Sequence, residues 1–402
     1  MDLSYPKEYE DFRLEVRQFL KEHGDKSRNV GEEMGRPTQK LKDWQNLLIE
    51  RGYACRTIPK EYGGYGAKPD ILHNVIITEE FNRTQIRRGI SGQGISMLVP
   101  TLLELGTEEQ KQKLIKPTIT GEIVWCQGYS EPNAGSDLAS LQTKAHVEGD
   151  YFVINGQKIW TSSAHFSDMM FVLVRTEPDA PKHRGISYLL LSMDTPGIEV
   201  RPLVTMTGKA EFNETFFTDV KVKTDQIVGK RGEGWMVANA TLKHERGMIG
   251  DPAQLDALLV KLIELMKDET VNGARLMDNP IHRDRLLKLQ ARVESAKLHS
   301  LRILSNSLQQ SFEMLPLLII KLNGTHLSHD INAMGIDMLG ELGVLYEDSP
   351  YLRSKGTWQF RYMFSIGLII GGGTSQIQKN IISERGLGMP REPKPQPSAA
   401  NS

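Results

Sequence analysis

A polar run, Gly128-Tyr129-Ser130-Glu131-Pro132-Asn133-Ala134-Gly135-Ser136-Asp137, stands where a helical residue pattern gives way to a strand-like one. As a loop, it offers main-chain amides and the hydroxyls of Ser130 and Ser136 as hydrogen-bonding groups. Such groups could hold the edge of a heteroaromatic ring and an acyl carrier. Composition alone favours a plain interdomain loop, so a ligand reading needs support from elsewhere in the chain. Several other chemistries lack their residues. There is no His-Glu-x-x-His and no paired Cys-x-x-Cys, so metal chemistry is not expected. Gly208-Lys209 is followed by Ala210 without a phosphate-loop glycine before it, and no Gly-x-Gly-x-x-Gly opens a helix after a strand. The ten histidines are scattered singly, as structural histidines usually are.

The chain around these residues is long enough for more than one core. Its 402 residues, at roughly 150 per domain, suggest two or three domains. The 39% hydrophobic and 25% charged residues are ordinary for a globular protein and speak against wholesale disorder. With 49 Lys+Arg against 50 Asp+Glu, the net charge of -1 gives no global electrostatic attraction to nucleic acid or anionic membrane. Cys55 and Cys126 are too few for a disulfide scaffold or a four-cysteine metal site. The longest apolar runs, Met169–Val174 and Tyr188–Leu191, are far short of a membrane span. The opening Met-Asp-Leu-Ser-Tyr-Pro-Lys-Glu has no leader pattern, so a soluble cytoplasmic protein, most naturally an enzyme, is expected.

Three rhythms divide the chain. Phe12, Val16, Phe19 and Leu20 make one apolar helical stripe ending at Gly24, and Leu41, Trp44, Leu47 and Leu48 make another. Leu72, Val75, Ile76 and Phe81 follow the same spacing, and Thr107–Gln110 reads as a capping box. From residue 122 the pattern is β. Asn155-Gly156 between two apolar runs predicts a tight hairpin, and further strands are expected at 169–175, 186–193, 197–203 and 213–222. Helical spacing returns in 235–248, 253–266, 284–310, 314–342 and 374–385, and the Pro-rich tail 391–402 predicts disorder. The expected class is a multi-domain α+β fold: a helical domain (1–121), a middle β-barrel (122–229) and a C-terminal four-helix bundle (230–390).

The loop at 128–137, taken with Asn155-Gly156-Gln157-Lys158-Ile159-Trp160-Thr161-Ser162-Ser163 and, near the C-terminus, Gly373-Thr374-Ser375-Gln376-Ile377-Gln378, resembles the acyl-CoA dehydrogenase family. Glu61-Tyr62-Gly63-Gly64 and the α–β–α order also fit. The resemblance implies a flavoprotein binding FAD, usually tetrameric, that removes hydrogens from an acyl-CoA substrate and passes electrons to an electron-transfer flavoprotein or similar acceptor. It implies that Tyr129 and Ser130 meet the pyrimidine edge of the flavin, that Trp160 covers the ring and that the Ser162 hydroxyl approaches N5. It further implies that Thr374 and Gln376 meet the ADP half and that Ser136 touches the pantetheine.

Many members carry the catalytic carboxylate in Tyr-Glu-Gly-Thr. The corresponding stretch here is Gly371-Gly372-Gly373-Thr374, without the glutamate. The family's second position for the base is a Glu before an Arg, which His244-Glu245-Arg246-Gly247 matches after Gly232-Glu233-Gly234-Trp235. On that resemblance Glu245 is the base, Arg246 orients the site and the Gly372 amide donates to the thioester oxygen. The small residues at 371 and 372 favour a long, branched or bulky acyl group. The alternatives are a flavin monooxygenase of the same fold, or a partner subunit of a heterotetramer. The last follows from Asp278-Asn279-Pro280-Ile281-His282, where many relatives carry an Arg-x-x-Phe-Gly stretch that reaches a neighbour's FAD, and from Asp337-Met338-Leu339-Gly340-Glu341, where they carry a Gln-x-x-Gly-Gly turn. Arg283 or Arg285 could supply the absent guanidinium. A homotetramer is the first expectation.

Overall fold

The computed structural model describes residues 5–245, 250–271, 273–309, 314–391 and 393, with the backbone alone at Glu245, Val271, Ser307 and Met314. By its contacts the chain forms two compact units, Met1–Glu245 and Arg246–Ser402.

The first unit begins with helices that the apolar spacing anticipates. α1 (Lys7–His23) buries Phe12, Val16, Phe19 and Leu20 and stops at Gly24. A small hairpin, β1 (Glu32–Glu33) with β2 (Arg36–Pro37), precedes α2 (Gln39–Glu50), whose N-terminus is capped by the Thr38 hydroxyl. α3 (Ile71–Thr84) starts at the Asp70 cap and adds Ile76, Ile77 and Phe81 to the same core. α4 (Val99–Leu105) ends at Gly106, and α5 (Glu108–Ile119) opens on the Thr107–Gln110 capping box.

A buried carboxylate ties α1 to α3. Glu80 accepts from Arg17 Nε and Nη2 at 2.9 Å each, from Arg83 Nε at 2.9 Å and from Arg13 Nη1 at 3.1 Å. Burial alone would raise its pKa, but the guanidiniums of Arg17, Arg83 and Arg13 outweigh it and hold the carboxyl at about 2. A depressed carboxyl pKa stabilises the fold above the unfolded value and loses that contribution as pH falls toward the folded one. Glu80→Gln is therefore expected to lower stability by ~1–3 kcal/mol at pH 7, allowing for solvent screening of the arginines. The gap to wild type should close between about pH 4.5 and 2, as denaturant melts at neutral and acid pH would show.

The middle of the unit is an eight-stranded sheet. Its strands are β3 (Trp125–Gly128), β4 (Lys144–Glu148), β5 (Tyr151–Lys158), β6 (Met169–Arg175), β7 (Ile186–Ser192), β8 (Ile198–Leu203), β9 (Phe212–Lys223) and β10 (Ile227–Val228). The order is β10-β7-β6-β4-β5-β9-β8, with β3 parallel to β6. Among the described residues β8 and β10 do not pair, so the expected barrel is an open one. β6 and β7 are buried along nearly their whole length. One face of β6 and β7 packs on α4, α5 and α6 (Gly234–Glu245), and the other meets Phe152 and Ile154 of β5 and Phe217 of β9 within the curved sheet.

The Asn155-Gly156 hairpin is not formed. β5 runs through both residues, pairing with β4 on one side and β9 on the other, with a register shift between Ile154 and Gly156. The Asn155 side chain donates to Asp219 Oδ1 at 2.9 Å and accepts from Asp219 N at 3.0 Å. Gly156 has φ 151° and lies so close to Thr143 that a Cβ would come within 2.7 Å of its Cα. A strand glycine that marks a bulge and a close backbone approach gives the same two-letter signal as a turn. The true tight turn is Gly149-Asp150, between Glu148 and Tyr151.

The second unit contains α7 (Pro252–Asp268), a minimal hairpin of β11 (Thr270–Val271) and β12 (Ala274–Arg275), α8 (Pro280–Leu308), α9 (Met314–Leu339), α10 (Thr357–Ile370) and α11 (Ser375–Ile381). Helices α7 to α10 share a core of Leu259, Leu262, Val293, Leu327, Ile331, Met334 and Trp358. α10 was not anticipated. Its sequence, Thr357-Trp-Gln-Phe-Arg-Tyr-Met-Phe-Ser-Ile-Gly-Leu-Ile-Ile370, is apolar almost all round and carries no one-sided stripe. The expected helix 374–385 is shorter, α11 passing into a wider turn over Ile382–Gly386. Apart from Arg391 and Pro393, the tail predicted to be disordered lies outside the described residues.

Candidate functional site

Strand β3 delivers the 128–137 loop. Gly128 sits against Met170 and Val172, where a Cβ would meet Met170 Sδ at 2.6 Å, and the strand could not lie so close to β6 with a larger residue. The next side chain, Tyr129, turns into the core, edge-on to Phe171 and Tyr188. Its ring is therefore part of the core, with 5% exposure for the residue. Ser130 is half-buried, and its hydroxyl has no partner among the described residues.

Two charged residues stitch this loop to the second motif. Lys158 is 0% and Glu131 8% exposed. Lys158 Nζ donates to Glu131 Oε1 at 2.8 Å and to the Tyr129 carbonyl at 3.1 Å. Glu131 also accepts from Gln142 N at 2.6 Å and Thr143 N at 2.9 Å, and Ile159 N donates to the Ser130 carbonyl at 2.9 Å. Burial would raise the Glu131 carboxyl, but Lys158 and the amide donors outweigh it and hold it below the usual carboxylate range. Burial pushes the Lys158 ammonium down to about 8, against the pull of Glu131. This pair explains why a polar loop carries a glutamate and a strand end carries a lysine.

Beyond Ile159 the chain makes a constrained turn. Trp160 and Ser163 both have left-handed φ, 60° and 66°. Thr161 between them is buried, its hydroxyl donating to the Asn213 carbonyl at 2.8 Å, while Asn213 Nδ2 returns a bond to Thr161 O at 2.8 Å. Ser163 N donates to Glu211 O. So pinned to β9, the turn leaves Trp160 56% exposed, touching Phe212 edge-on at 5.8 Å. A bulky aromatic in strained backbone, presented to the outside, is not a core residue. Ser162, half-buried and without a hydrogen-bond partner among the described residues, lines a cavity of about 230 Å³ with Gln93, Gly94, Ser163 and Phe166. Ser91, Gly92 and Gln93 in this cavity were missed from sequence, although the glycines of the 89–94 stretch marked an irregular connection. The structure thus brings Ser130, Trp160 and Ser162 onto one anchored pair of segments. Ser136 lies further along the loop, exposed, beside the Asp137–Lys182 ion pair.

Helix α6 buries Val237, Ala238 and Thr241, the Thr241 hydroxyl lying 3.0 Å from that of Thr101. Its last described residue is Glu245. The Glu245 side chain and all of Arg246 lie outside the described residues. His244 beside it has its pKa lowered, first by burial and then by Lys243, with Glu104 opposing.

In the second unit, Gly371-Gly372-Gly373 joins α10 to α11. Gly372 and Gly373 have φ of 64° and 95°, which only glycine adopts freely. The Gly372 carbonyl accepts from Gln378 Nε2 at 3.0 Å, and Gly372 N–H has no acceptor among the described residues. Thr374 caps α11 by accepting from Ile377 N, and Gln376 is exposed. Arg285, three residues past the first of the two stretches that depart from the family pattern, reaches the second, its Nη2 donating to Asp337 Oδ2 at 2.7 Å. Arg283 is exposed on the same helix turn.

Comparison with known proteins identifies the family. Models of the acyl-CoA dehydrogenase N-terminal, middle and C-terminal domains match residues 6–122, 126–220 and 232–387. The acyl-CoA dehydrogenase IpdE1 of Mycobacterium tuberculosis is 36% identical over 396 residues, covering 96% of this chain and 99% of that protein. Among solved structures, the Tcur3481-Tcur3483 steroid ACAD superposes with a TM-score of 0.80 at 30% identity, over 98% of this chain and 100% of that one. The ChsE4-ChsE5 complex from Mycobacterium tuberculosis gives 0.79 at 29% identity, with 98% and 100% covered. With a helical N-terminal region, a middle sheet and a helical C-terminal region matched in order, the chain belongs to the acyl-CoA dehydrogenase family.

Proposed function

We propose that this enzyme dehydrogenates an acyl-CoA thioester to the trans-2-enoyl-CoA with FAD as its cofactor, on a long, branched or bulky acyl group. The observation that carries the reading is the anchored pair of segments at 128–137 and 155–163, which presents an exposed indole and the hydroxyls of Ser130 and Ser162, unpartnered among the described residues. Those groups fit a flat, hydrogen-bonding ring. FAD, when bound, supplies the acceptor for the β-hydrogen as hydride. Main-chain groups of Tyr129, with Ser130, would hold the pyrimidine edge, Trp160 would cover the ring, and the Ser162 hydroxyl would donate to it. The Thr374 hydroxyl keeps its own proton to donate while capping α11, and with Gln376 it would meet the ADP half. Arg285 is engaged by Asp337, which leaves Arg283 as the freer guanidinium for that half.

On the substrate side, Ser136 would touch the pantetheine. Glu245 takes the α-proton, oriented by Arg246, and the Gly372 N–H donates to the thioester oxygen as negative charge develops there. The family's assignment of a base to this helix and the absence of a carboxylate at 371–373 support the choice. The exposed glycines at 371 and 372 support a bulky acyl group, as does the steroid named for one relative. We assign 1–121, 122–229 and 230–390 as the three domains, a homotetramer as the assembly, the cytoplasm as the location and an electron-transfer flavoprotein or similar protein as the acceptor. A second assembly, a heterotetramer, is favoured by the two-chain names of both similar structures.

The test is the chain expressed alone, incubated with linear, branched and polycyclic acyl-CoAs and an artificial electron acceptor. The expected product has lost two hydrogens, with one FAD per chain in a particle of four chains. A product that gains oxygen would replace the reading with a monooxygenase. A colourless particle that takes up flavin only with a second, similar chain would make this a partner subunit.

A further inference from the structure

We propose that Lys321, a residue remote in sequence from every motif above, positions the triglycine turn and so aims the Gly372 amide; this rests on the dehydrogenase reading. Lys321 lies on α9 and is buried, with 4% exposure. Its Nζ donates to the Ile369 carbonyl at 2.9 Å and to the Gly373 carbonyl at 2.6 Å. The two acceptors bracket the turn. Ile369 is in the last turn of α10, where carbonyls lack intrahelical donors and the helix dipole favours a cation. Gly373 closes the turn just before the α11 cap. One ammonium thus fixes the distance between the end of one helix and the start of the next.

The turn needs such a tie. Gly371, Gly372 and Gly373 have no side chains to pack, and glycine surrenders more conformational freedom on ordering than any other residue. The family's usual bulky pair at 371–372 is absent, so rigidity has to come from the main-chain carbonyls. Gln378 holds the Gly372 carbonyl from within α11, while from α9 Lys321 holds Gly373 and His326 Nε2 holds Ser375 Oγ at 2.8 Å. With the chain held on either side, at Ile369 and at Gly372 and Gly373, the intervening 371–372 peptide that carries the Gly372 N–H is set before substrate arrives, which is what an amide serving a developing oxyanion requires. A buried lysine is rare unless its ammonium is used, and two carbonyls of one turn are a specific use.

The experiment compares wild type, Lys321→Met and Lys321→Arg, each purified as the FAD-loaded protein. Hydrogen exchange of the peptide spanning 370–378 should quicken at least about tenfold in Lys321→Met, and the carbonyl band of a bound carbon-13-labelled enoyl-CoA thioester should move toward its free value. The rate of flavin reduction should fall about 10–100-fold with little change in KM. Lys321→Arg, whose planar fork cannot meet both carbonyls alike, should keep the fold and lie between the two. If Lys321→Met does not fold, the arginine variant carries the test. A folded variant with unchanged exchange, carbonyl band and rate overturns the assignment. Wild-type flavin that no acyl-CoA bleaches overturns the dehydrogenase reading itself, which a bleaching wild type with unaffected variants does not.

Discussion

Glu245→Gln is expected to slow acyl-CoA-driven flavin reduction by about 10²–10⁴-fold while FAD stays bound. The swap keeps size and hydrogen-bonding capacity but removes the basic carboxylate, so only a proton-transfer role predicts so large an effect. Its motivation is the sequence pattern. The 371–373 turn carries no carboxylate, whereas α6, anchored on β7 through Gly234 and the buried Val237 and Thr241, carries Glu245 as its last described residue. Stopped-flow absorbance of the oxidised flavin measures the rate, and the unbleached spectrum of the resting variant reports bound FAD. Near-normal reduction would remove Glu245 from the mechanism.

Lys158→Met should destabilise the first unit by about 3–5 kcal/mol, because it leaves Glu131 charged and buried without its partner. Flavin should be lost with it, since Lys158 also holds the Tyr129 carbonyl on which the Ser130 position depends. The double variant Lys158→Met/Glu131→Leu should recover much of the stability, since a buried pair replaced by apolar residues is often near neutral. It should not recover full flavin affinity, because the tie to Tyr129 is still absent. Denaturant melts followed by protein and flavin fluorescence separate the two effects, and single and double variants of equal stability would contradict the account.

Much of the helical part was legible because burial there follows a simple period. Phe12, Val16, Phe19 and Leu20 face one core, and Thr107 with Gln110 forms the cap that their spacing implies. Asn155-Gly156 misled because the same dipeptide serves a bulge when a third strand pairs beside it, and pairing with β9 is not a local property. α10 was hidden because it is apolar on most sides and offers no contrast of faces. At the proposed site, the motifs pointed to Ser130, Trp160 and Ser162, but not to the contacts that anchor the segments carrying them. The Lys158–Glu131 pair joins residues 27 apart, and the Lys321 tie to Gly373 joins residues 52 apart. Such contacts arise only in the folded chain. Trp160 is instructive in the other direction, since a tryptophan in a strand-rich region is ordinarily core, and its exposure sets it apart from that expectation.

The central claim is tested most directly by anaerobic titration of the purified yellow protein with branched and polycyclic acyl-CoAs, following the oxidised flavin band. The account predicts bleaching in proportion to added thioester, complete at about one equivalent per FAD, with the enoyl-CoA as product. A flavin that stays oxidised with every acyl-CoA, yet supports oxygen transfer once reduced by another donor, would contradict it.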